Sequence, residues 1–239
     1  YLYEKYNFDK VYLIDSLTNG NQKEFLKLLE YISLYKIESG AKFDIGGQFI
    51  CREKKQIKPR MFSLMKSAGY NRPTIGIESG SEKVRKELGK YFSNESIEYH
   101  LQEMDRVGIK MVPLFFVGFP TETDEDFQET VNILDMFAKY PKVVKRMHMD
   151  HPMHVIEGTP VHLNPERYDI EHITNSYIWE SKHSNYKKRI ERFFIFLDEA
   201  IKRNLFDRPT VSDKSYTMIN DYYQYDDLDD KVVNIMKGW

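Results

Sequence analysis

Short apolar runs alternate with amphipathic helical stretches from the start of the chain to about residue 165. The first apolar run covers residues 11–15, and the stretch after it has the spacing of a helix with one apolar face. That face is formed by Phe25, Leu28, Leu29 and Ile32. Such alternation indicates parallel strands that are joined by helical crossovers.

The same unit repeats three more times along the chain. A strand over residues 42–52, interrupted by Gly46 and Gly47, precedes a helix with Pro59 in its first turn and Gly69 as its C-cap. A strand over residues 73–79 leads to a helix from Glu82, and a second helix runs from the capping sequence after Phe92 to Gly108. A strand over residues 110–120 and a helix over 122–140, with acids in its first turn, form the next unit.

A fifth strand is predicted within residues 143–151. Successive strand and helix units without a hairpin signal favour an α/β fold with a parallel sheet, which we expect to curl into a partial (β/α) TIM-like barrel. From residue 164 onward the pattern changes, and residues 177–206 read as one long amphipathic helix or two. We therefore predict a barrel domain over residues 1–163 and an α-helical extension over residues 164–239.

Composition narrows the function classes. The chain has 239 residues with 35 basic and 37 acidic side chains, a net charge of −2, so no overall field favours nucleic acid or an anionic membrane as a partner. No apolar run approaches the ~20 residues that span a bilayer. One cysteine, Cys51, excludes an internal disulfide and fits a cytoplasmic location. Because the sequence starts directly in structured material at Tyr1, we interpret it as a piece of a longer protein.

Polar residues and glycines follow the predicted strands at the edge where parallel α/β folds bind ligands. These strand ends carry Asp15, Arg52, Glu78 to Ser81, and Gly118 to Pro120. Glu78 could accept hydrogen bonds from a ribose diol, and Arg52 or Lys90 could hold a carboxylate. This inventory suits a nucleoside joined to an amino acid. An ordinary structural explanation is that Glu78 and Ser79 cap the next helix and that Asp15 caps its own.

Four patterns carry a resemblance to a known family. "GIESGSEKVRKELGK", a helix that ends in "VG" at residues 107–108, "VGFPTETDEDF" and "EGTP" occur in this order within residues 9–161. Together they resemble the later part of radical S-adenosylmethionine (radical SAM) enzymes, and the nearest group often carries a cobalamin-binding domain upstream. The resemblance implies S-adenosylmethionine as cofactor, with cobalamin as a further candidate, and the strands correspond to strands 2–6 of the family's barrel.

The resemblance also implies roles for individual residues. Glu78 and Ser79 match positions that contact the ribose and amino-acid part of the cofactor, and Lys90 matches a basic residue that faces its carboxylate. Asp15 and Arg52 match polar strand ends that line the same cavity. The segment beside the adenine is matched by Gly118, Phe119 and Pro120. No catalytic residue is assigned.

The chain departs from the family in one decisive respect. The family's 4Fe–4S cluster requires three cysteines of a CxxxCxxC loop, and this chain has one cysteine. We expect the missing strand and loop to lie upstream in the same protein, so the intact enzyme would cleave S-adenosylmethionine to a 5′-deoxyadenosyl radical and the chain alone would be inactive. Its substrate, a small molecule or a peptide, is not identified. The alternatives are a non-radical barrel enzyme that uses Glu78 and a histidine as acid and base, and a scaffold or binding module that has lost the cluster.

Two further groups of residues have an ordinary explanation as well as a functional one. His148, Asp150, His151 and His154 could form a metal set, but the segment also matches a strand leading into the "EGTP" turn. No metal site is assigned, and a histidine that faces the substrate is the better interpretation. The aromatic stretch over residues 215–225 is typical of packing rather than of a ligand platform.

Overall fold

The computed structural model describes residues 1–149 and 151–206, together with Asp230 and Asn234. The chain divides into two compact units. The first unit comprises Tyr1–Ile77, Tyr91–Leu114 and Met136–Met147, and the second comprises Glu78–Lys90, Phe115–Asp135 and His148–Trp239. Asp150 and the aromatic stretch over residues 215–225 lie outside the described residues. The domain boundary at residue 163 stays a prediction.

Helices and strands alternate along most of the described chain. In chain order they are α1 (Leu2–Tyr6), β1 (Lys10–Leu13), α2 (Gln22–Ser39), β2 (Asp44–Phe49), α3 (Met61–Ala68), β3 (Tyr70–Glu78), α4 (Glu82–Glu87), α5 (Asn94–Val107), β4 (Val112–Phe115), α6 (Asp124–Ala138), α7 (Pro160–Leu163), β5 (Ile170–Ile173), β6 (Trp179–Ser181) and α8 (Tyr186–Lys202). Short 3-10 turns lie at Lys54–Gln56 and Pro165–Tyr168.

The first four strands form one sheet in the order β1-β2-β3-β4, and both β1 with β2 and β2 with β3 are parallel. The predicted α/β class and parallel sheet are confirmed. The predicted irregularity in β2 is also present, since the register with β3 shifts between Ile45 and Gly46. At Gly47 a Cβ atom would lie 2.8 Å from the Tyr70 hydroxyl, so a side chain there would collide with the neighbouring strand.

The first unit has its apolar core between the sheet and its helices. Phe25 of α2 and Tyr70 of β3 meet edge to face with ring centroids 5.5 Å apart. Side chains along β3 alternate between buried and less buried positions, so the sheet has one covered face. Leu28, predicted on the apolar face of α2, is instead 40% exposed, and Ser33 takes a buried position on that helix.

Several helix ends follow the sequence prediction, and one does not. Ser93 caps α5 by accepting a hydrogen bond from the Ser96 amide, and Gly108 ends that helix in the left-handed conformation. Gly69 ends α3 in the same way. Pro59 lies outside α3, because the helix begins at Met61 after a left-handed Arg60.

The predicted fifth strand is wrong in detail. Within residues 143–149, the structure has isolated bridge positions at Val144 and His148 rather than a strand. The Val143 and Val144 amides both bond to the Tyr140 carbonyl in a turn, so they are not available for a strand ladder at that point.

The predicted helix from residue 177 is also wrong at its start. β5 and β6 form an antiparallel hairpin, and α8 begins only after Asn185, which caps it by accepting from the Lys188 amide. The Asn175 side chain accepts hydrogen bonds from the amides of Tyr177 and Ile178, and this turn sets up the hairpin. Trp179 is completely buried, and its packing favours a strand over continued helix.

An apolar cluster forms the centre of the second unit. Its members are Val84, Phe119, Val155, Val161, Tyr168, Ile170 and Trp179. Phe193, Phe194 and Phe196 of α8 are also buried. Among the described helices, none has the length and apolarity needed to cross a membrane.

Candidate functional site

Glu78, the last residue of β3, has an unusual backbone conformation. Its φ of 71° lies in the left-handed region, which is uncommon for a non-glycine residue, although Asn7, Arg60, Asp169 and Asn204 also adopt it. Its carbonyl accepts a hydrogen bond of 3.1 Å from the Phe116 amide. This conformation turns the chain at the end of β3, which is the edge at which parallel α/β folds bind ligands.

Lys90 meets Glu78 although twelve positions separate them in sequence. After α4 the chain reverses at Gly89, which has a φ of 75°, and the Lys90 amide bonds to the Arg85 carbonyl at 2.8 Å. This turn brings the Lys90 ammonium to 2.9 Å from the Glu78 carboxylate. Both side chains remain partly exposed, at 27% and 21%, so both can reach a ligand.

Ser79, in contrast, is completely buried. Its hydroxyl pairs with that of Thr130 at 2.8 Å and accepts the Ser81 amide at 3.0 Å. Ser81, rather than Glu78 or Ser79, caps α4, and its hydroxyl donates to Asp126. Ser79 therefore fixes the turn behind Glu78, and the capping explanation for Glu78 does not hold.

The turn over Gly118, Phe119 and Pro120 is fixed on several sides. Gly118 has a φ of 82°, and a Cβ atom there would collide with Cγ of Arg189. The Phe119 ring is completely buried in the apolar cluster of the second unit. The Pro120 carbonyl accepts a 2.6 Å hydrogen bond from the Ser181 hydroxyl. The side of Gly118 that a side chain would occupy is thus filled by Arg189.

A buried ion pair ties this turn to α8, and sequence reasoning missed it. Glu122 accepts the Gly118 amide at 2.8 Å and an Arg192 Nη1 hydrogen bond at 2.9 Å. Arg192 also donates through Nη2 to Asp124. Burial raises the pKa of Glu122 to about 7, while the Arg192 charge opposes that rise. The available signal was an arginine on the buried face of α8, beside Phe193.

Asp15 and Arg52 both belong to the first unit, whereas the other predicted site residues belong to the second. Asp15 is exposed, and the cap of α2 is Asn21 rather than Asp15. Arg52 donates to the carbonyls of Asn19 and Gly20 at 3.0 and 2.7 Å. Arg52 therefore braces the loop between β1 and α2.

Cys51 is buried in the first unit. Its sulfur lies 3.5 Å from Nδ1 of His100. That nitrogen also lies 2.8 Å from the Ser96 carbonyl, which can only accept, so Nδ1 carries the hydrogen. Within the described residues, no group of three or more histidine, cysteine or acidic side chains is arranged to hold a metal ion.

Burial lowers the pKa of His100 to about 4, against its ordinary value of 6.5. A lowered folded-state pKa means that the stability is present above pH 6.5 and is lost as the pH falls toward 4. We expect His100 to account for a loss of roughly 3 kcal/mol over that interval. Urea unfolding of wild type and His100→Phe at pH 6.5 and at pH 4 measures this loss of stability. The exposed His172→Gln is the matched control, and an equal acid loss in wild type and His100→Phe would contradict the assignment.

A cavity of about 370 Å³ lies within the second unit. It is lined by Glu87, Leu88, Phe116, Phe119, His151, Met153, His154, Ile156, Thr159, Pro160, Val161 and Tyr168. The rings of His151 and His154 stack in parallel with centroids 3.9 Å apart. Of the residues in the considered metal set, His148 is exposed and does not line the cavity. The histidine that faces the substrate stays a prediction, and the two histidines that line this cavity are His151 and His154.

Comparison with known proteins shows the family to which the chain belongs. A family model described as Radical SAM superfamily matches residues 15–134, which is half of the chain. An uncharacterized protein of Methanocaldococcus jannaschii is 39% identical over 67 residues, which cover 28% of this chain and 15% of that protein. A tRNA-2-methylthio-N(6)-dimethylallyladenosine synthase of Bartonella quintana is 39% identical over 64 residues, 25% of this chain and 14% of that protein.

Solved structures share the fold over most of the chain. The radical S-adenosylmethionine methyltransferase TsrM from Kitasatospora setae, with cobalamin and a 4Fe–4S cluster bound, aligns with a TM-score of 0.59 at 14% identity. The alignment covers 93% of this chain and 49% of that one. The cobalamin-dependent radical enzyme OxsB, with aqua-cobalamin and S-adenosylmethionine bound, gives a TM-score of 0.60 at 14% identity, covering 92% and 39%. The chain thus spans less than half of either structure.

Proposed function

Because this chain belongs to the radical SAM superfamily, we propose that it is the part of such an enzyme that binds and orients S-adenosylmethionine. One observation carries the proposal: a strained Glu78 at the end of β3 forms an accessible ion pair with Lys90. Backbone strain persists where the fold supports it and is concentrated at functional sites.

The charges of this pair fit the cofactor. The Glu78 carboxylate can accept hydrogen bonds from the ribose hydroxyls, and the Lys90 ammonium can hold the amino-acid carboxylate. Ser79 supports Glu78 from behind, since its hydroxyl is engaged with Thr130 and Ser81. S-adenosylmethionine supplies the sulfonium whose reductive cleavage gives the family its radical.

The 4Fe–4S cluster does not fit the residues of this chain. Its single cysteine, Cys51, is buried beside His100, and the cluster requires cysteine thiolates that this sequence does not contain. We therefore propose that the cluster ligands come from another part of the protein, and that cleavage of S-adenosylmethionine belongs to the assembled protein. Cobalamin is proposed as a further cofactor of that assembly, not of these residues.

Within the part of the chain that the structure describes, one side of the first unit is uncovered, which supports a further segment of the protein beside it. β1 is an edge strand of the sheet. Beside it Ile14 is 93% exposed, and on the outer side of α2 Tyr31, Leu34 and Ile37 are exposed. An open edge next to apolar side chains is a surface that proteins normally cover. A further strand and helix from the same protein would cover both.

Calorimetric titration with S-adenosylmethionine tests the site directly. We expect Glu78→Gln and Lys90→Met each to weaken binding about ten- to hundred-fold, because each removes a charge-assisted hydrogen bond. The exposed Lys86→Met on α4 is the matched control and should bind as wild type does. 5′-Methylthioadenosine lacks the amino-acid group, so its affinity should fall in Glu78→Gln and stay unchanged in Lys90→Met. Equal losses of both ligands in Lys90→Met would refute the assignment of the carboxylate.

A second candidate is a non-catalytic module of the same fold, which the single cysteine also favours. The two differ in one measurable respect. A module that has lost the cofactor would show no heat with S-adenosylmethionine, and the Glu78 and Lys90 variants would then behave as wild type does. A non-radical enzyme would instead turn over its substrate without any cluster.

A further inference from the structure

The cavity of the second unit has walls that are mostly apolar and aromatic. Phe116, Phe119 and Tyr168 line it together with the stacked rings of His151 and His154. The two imidazoles are nearly parallel, with 12° between their planes, and Tyr177 supports His154 with ring centroids 4.0 Å apart. Flat walls of this kind favour a flat ring as ligand. A volume of about 370 Å³ lies within the range of small-molecule sites.

The lining contains hydrogen-bond acceptors as well as apolar groups. Nδ1 of His151 lies 2.9 Å from the Pro152 carbonyl, so this nitrogen carries the hydrogen and Nε2 is left as an acceptor. Glu87 adds a carboxylate, and Thr159 donates its hydroxyl hydrogen to the Ile156 carbonyl. Burial lowers the pKa of His154 to about 4, so its ring is neutral at pH 7 and does not attract an anion.

The cavity is not the ion pair at the end of β3, because neither Glu78 nor Lys90 lines it. We propose that the cavity binds a planar, uncharged aromatic group of the substrate, one that carries an N–H donor. This inference rests on the proposed function, because it places the substrate next to the turn after β4. Phe119 would separate the substrate ring from the cofactor edge.

Indole is the probe, since it is flat and neutral and has one N–H. Saturation-transfer NMR should show binding to the wild-type chain with a Kd on the order of 1 mM. 1-Methylindole, which lacks the donor, should bind about five-fold more weakly. His151→Phe keeps a flat ring and loses the acceptor, so it should bind the two probes equally. His154→Ala should weaken indole binding about ten-fold, because it removes half of the stacked wall.

Two variants keep the test decisive. Ile156→Trp places bulk at the exposed rim and should block indole even if His154→Ala perturbs the fold. The exposed His148→Ala, in the same segment but outside the lining, should bind indole as wild type does. Absence of indole binding, or indole binding that Ile156→Trp leaves unchanged, would overturn the proposal. Displacement of indole by S-adenosylmethionine would also overturn it, by assigning the cavity to the cofactor.

The titration with S-adenosylmethionine tests the proposed function independently of the indole experiment. A chain that binds S-adenosylmethionine and not indole retains the proposed function and loses this inference. A chain that binds indole with the expected variant pattern and no S-adenosylmethionine retains the cavity as an aromatic site and loses the cofactor site.

Discussion

Arg192→Met is expected to destabilise the chain by about 3–5 kcal/mol, because it leaves the buried Glu122 without its counter-charge. Both side chains are almost completely buried, at 3% and 1% exposure. Oε1 of Glu122 has no hydrogen-bond partner among the described residues, so there the carboxylate depends on the contacts of its other oxygen. Methionine conserves most of the side-chain volume, and the loss therefore reports charge rather than packing.

The loss of folding stability that Arg192→Met causes should increase with pH. The folded-state pKa of Glu122, about 7, lies above its ordinary value of 4.5, so stability is fully present below pH 4.5 and is lost as the pH rises through 7. Removing Arg192 raises that pKa further and extends the loss to higher pH. Urea unfolding at pH 6 and pH 8.5 measures the difference between the two conditions.

Two matched variants isolate the effect. Lys202→Met removes a more exposed cation from the same helix and should change stability by about 0.5 kcal/mol or less. Adding Glu122→Gln to Arg192→Met removes the stranded charge and should recover part of the loss. An Arg192→Met variant as stable as Lys202→Met at pH 8.5 would show that the buried pair does not hold α8 against the turn.

Gly80→Ala is expected to cost about 3 kcal/mol or more, because the new Cβ meets backbone rather than a movable side chain. It would collide with the Glu129 carbonyl oxygen and lie 2.6 Å from Cα of Thr130. α6 would have to move away, and with it the Thr130 hydroxyl that holds Ser79. Thermal unfolding measures the loss.

Gly89→Ala is the control for this prediction. Gly89 has a φ of 75°, but a Cβ atom added there would have no atom of the described residues within 4 Å, so alanine carries only the left-handed backbone cost of about 1 kcal/mol. Similar losses for both glycine variants would mean that the contact between the turn after β3 and α6 is loose.

The elements that the sequence predicted well are those specified by nearby residues. Ser93 and Gly108 define α5 through local hydrogen bonds and a left-handed cap, so their chemistry is visible in the sequence. The strand before Glu78 is equally clear, since its apolar residues end at a polar turn. The order of the motifs predicted the family, and the match of residues 15–134 to the radical SAM family model confirmed that prediction.

Features that depend on distant contacts were not predictable in this way. Trp179 packs with the cluster that includes Phe119, and this long-range contact favours the hairpin over the helix that its neighbours suggested. The ion pair of Glu78 with Lys90 requires the left-handed conformations of Glu78 and Gly89 together. The stack of His151 on His154 likewise depends on how the chain bends at Pro152, and the spacing of apolar residues along the sequence does not predict that bend.

The most direct test of the cofactor site is a charge exchange, Glu78→Lys combined with Lys90→Glu, followed by titration with S-adenosylmethionine. The exchanged pair can re-form the salt bridge, so stability should stay within about 1 kcal/mol of wild type. The ligand, however, would then face a carboxylate where it needs an ammonium, and its affinity should stay at least about ten-fold below wild type. Wild-type affinity in the exchanged variant would contradict the account and reduce the pair to a structural role.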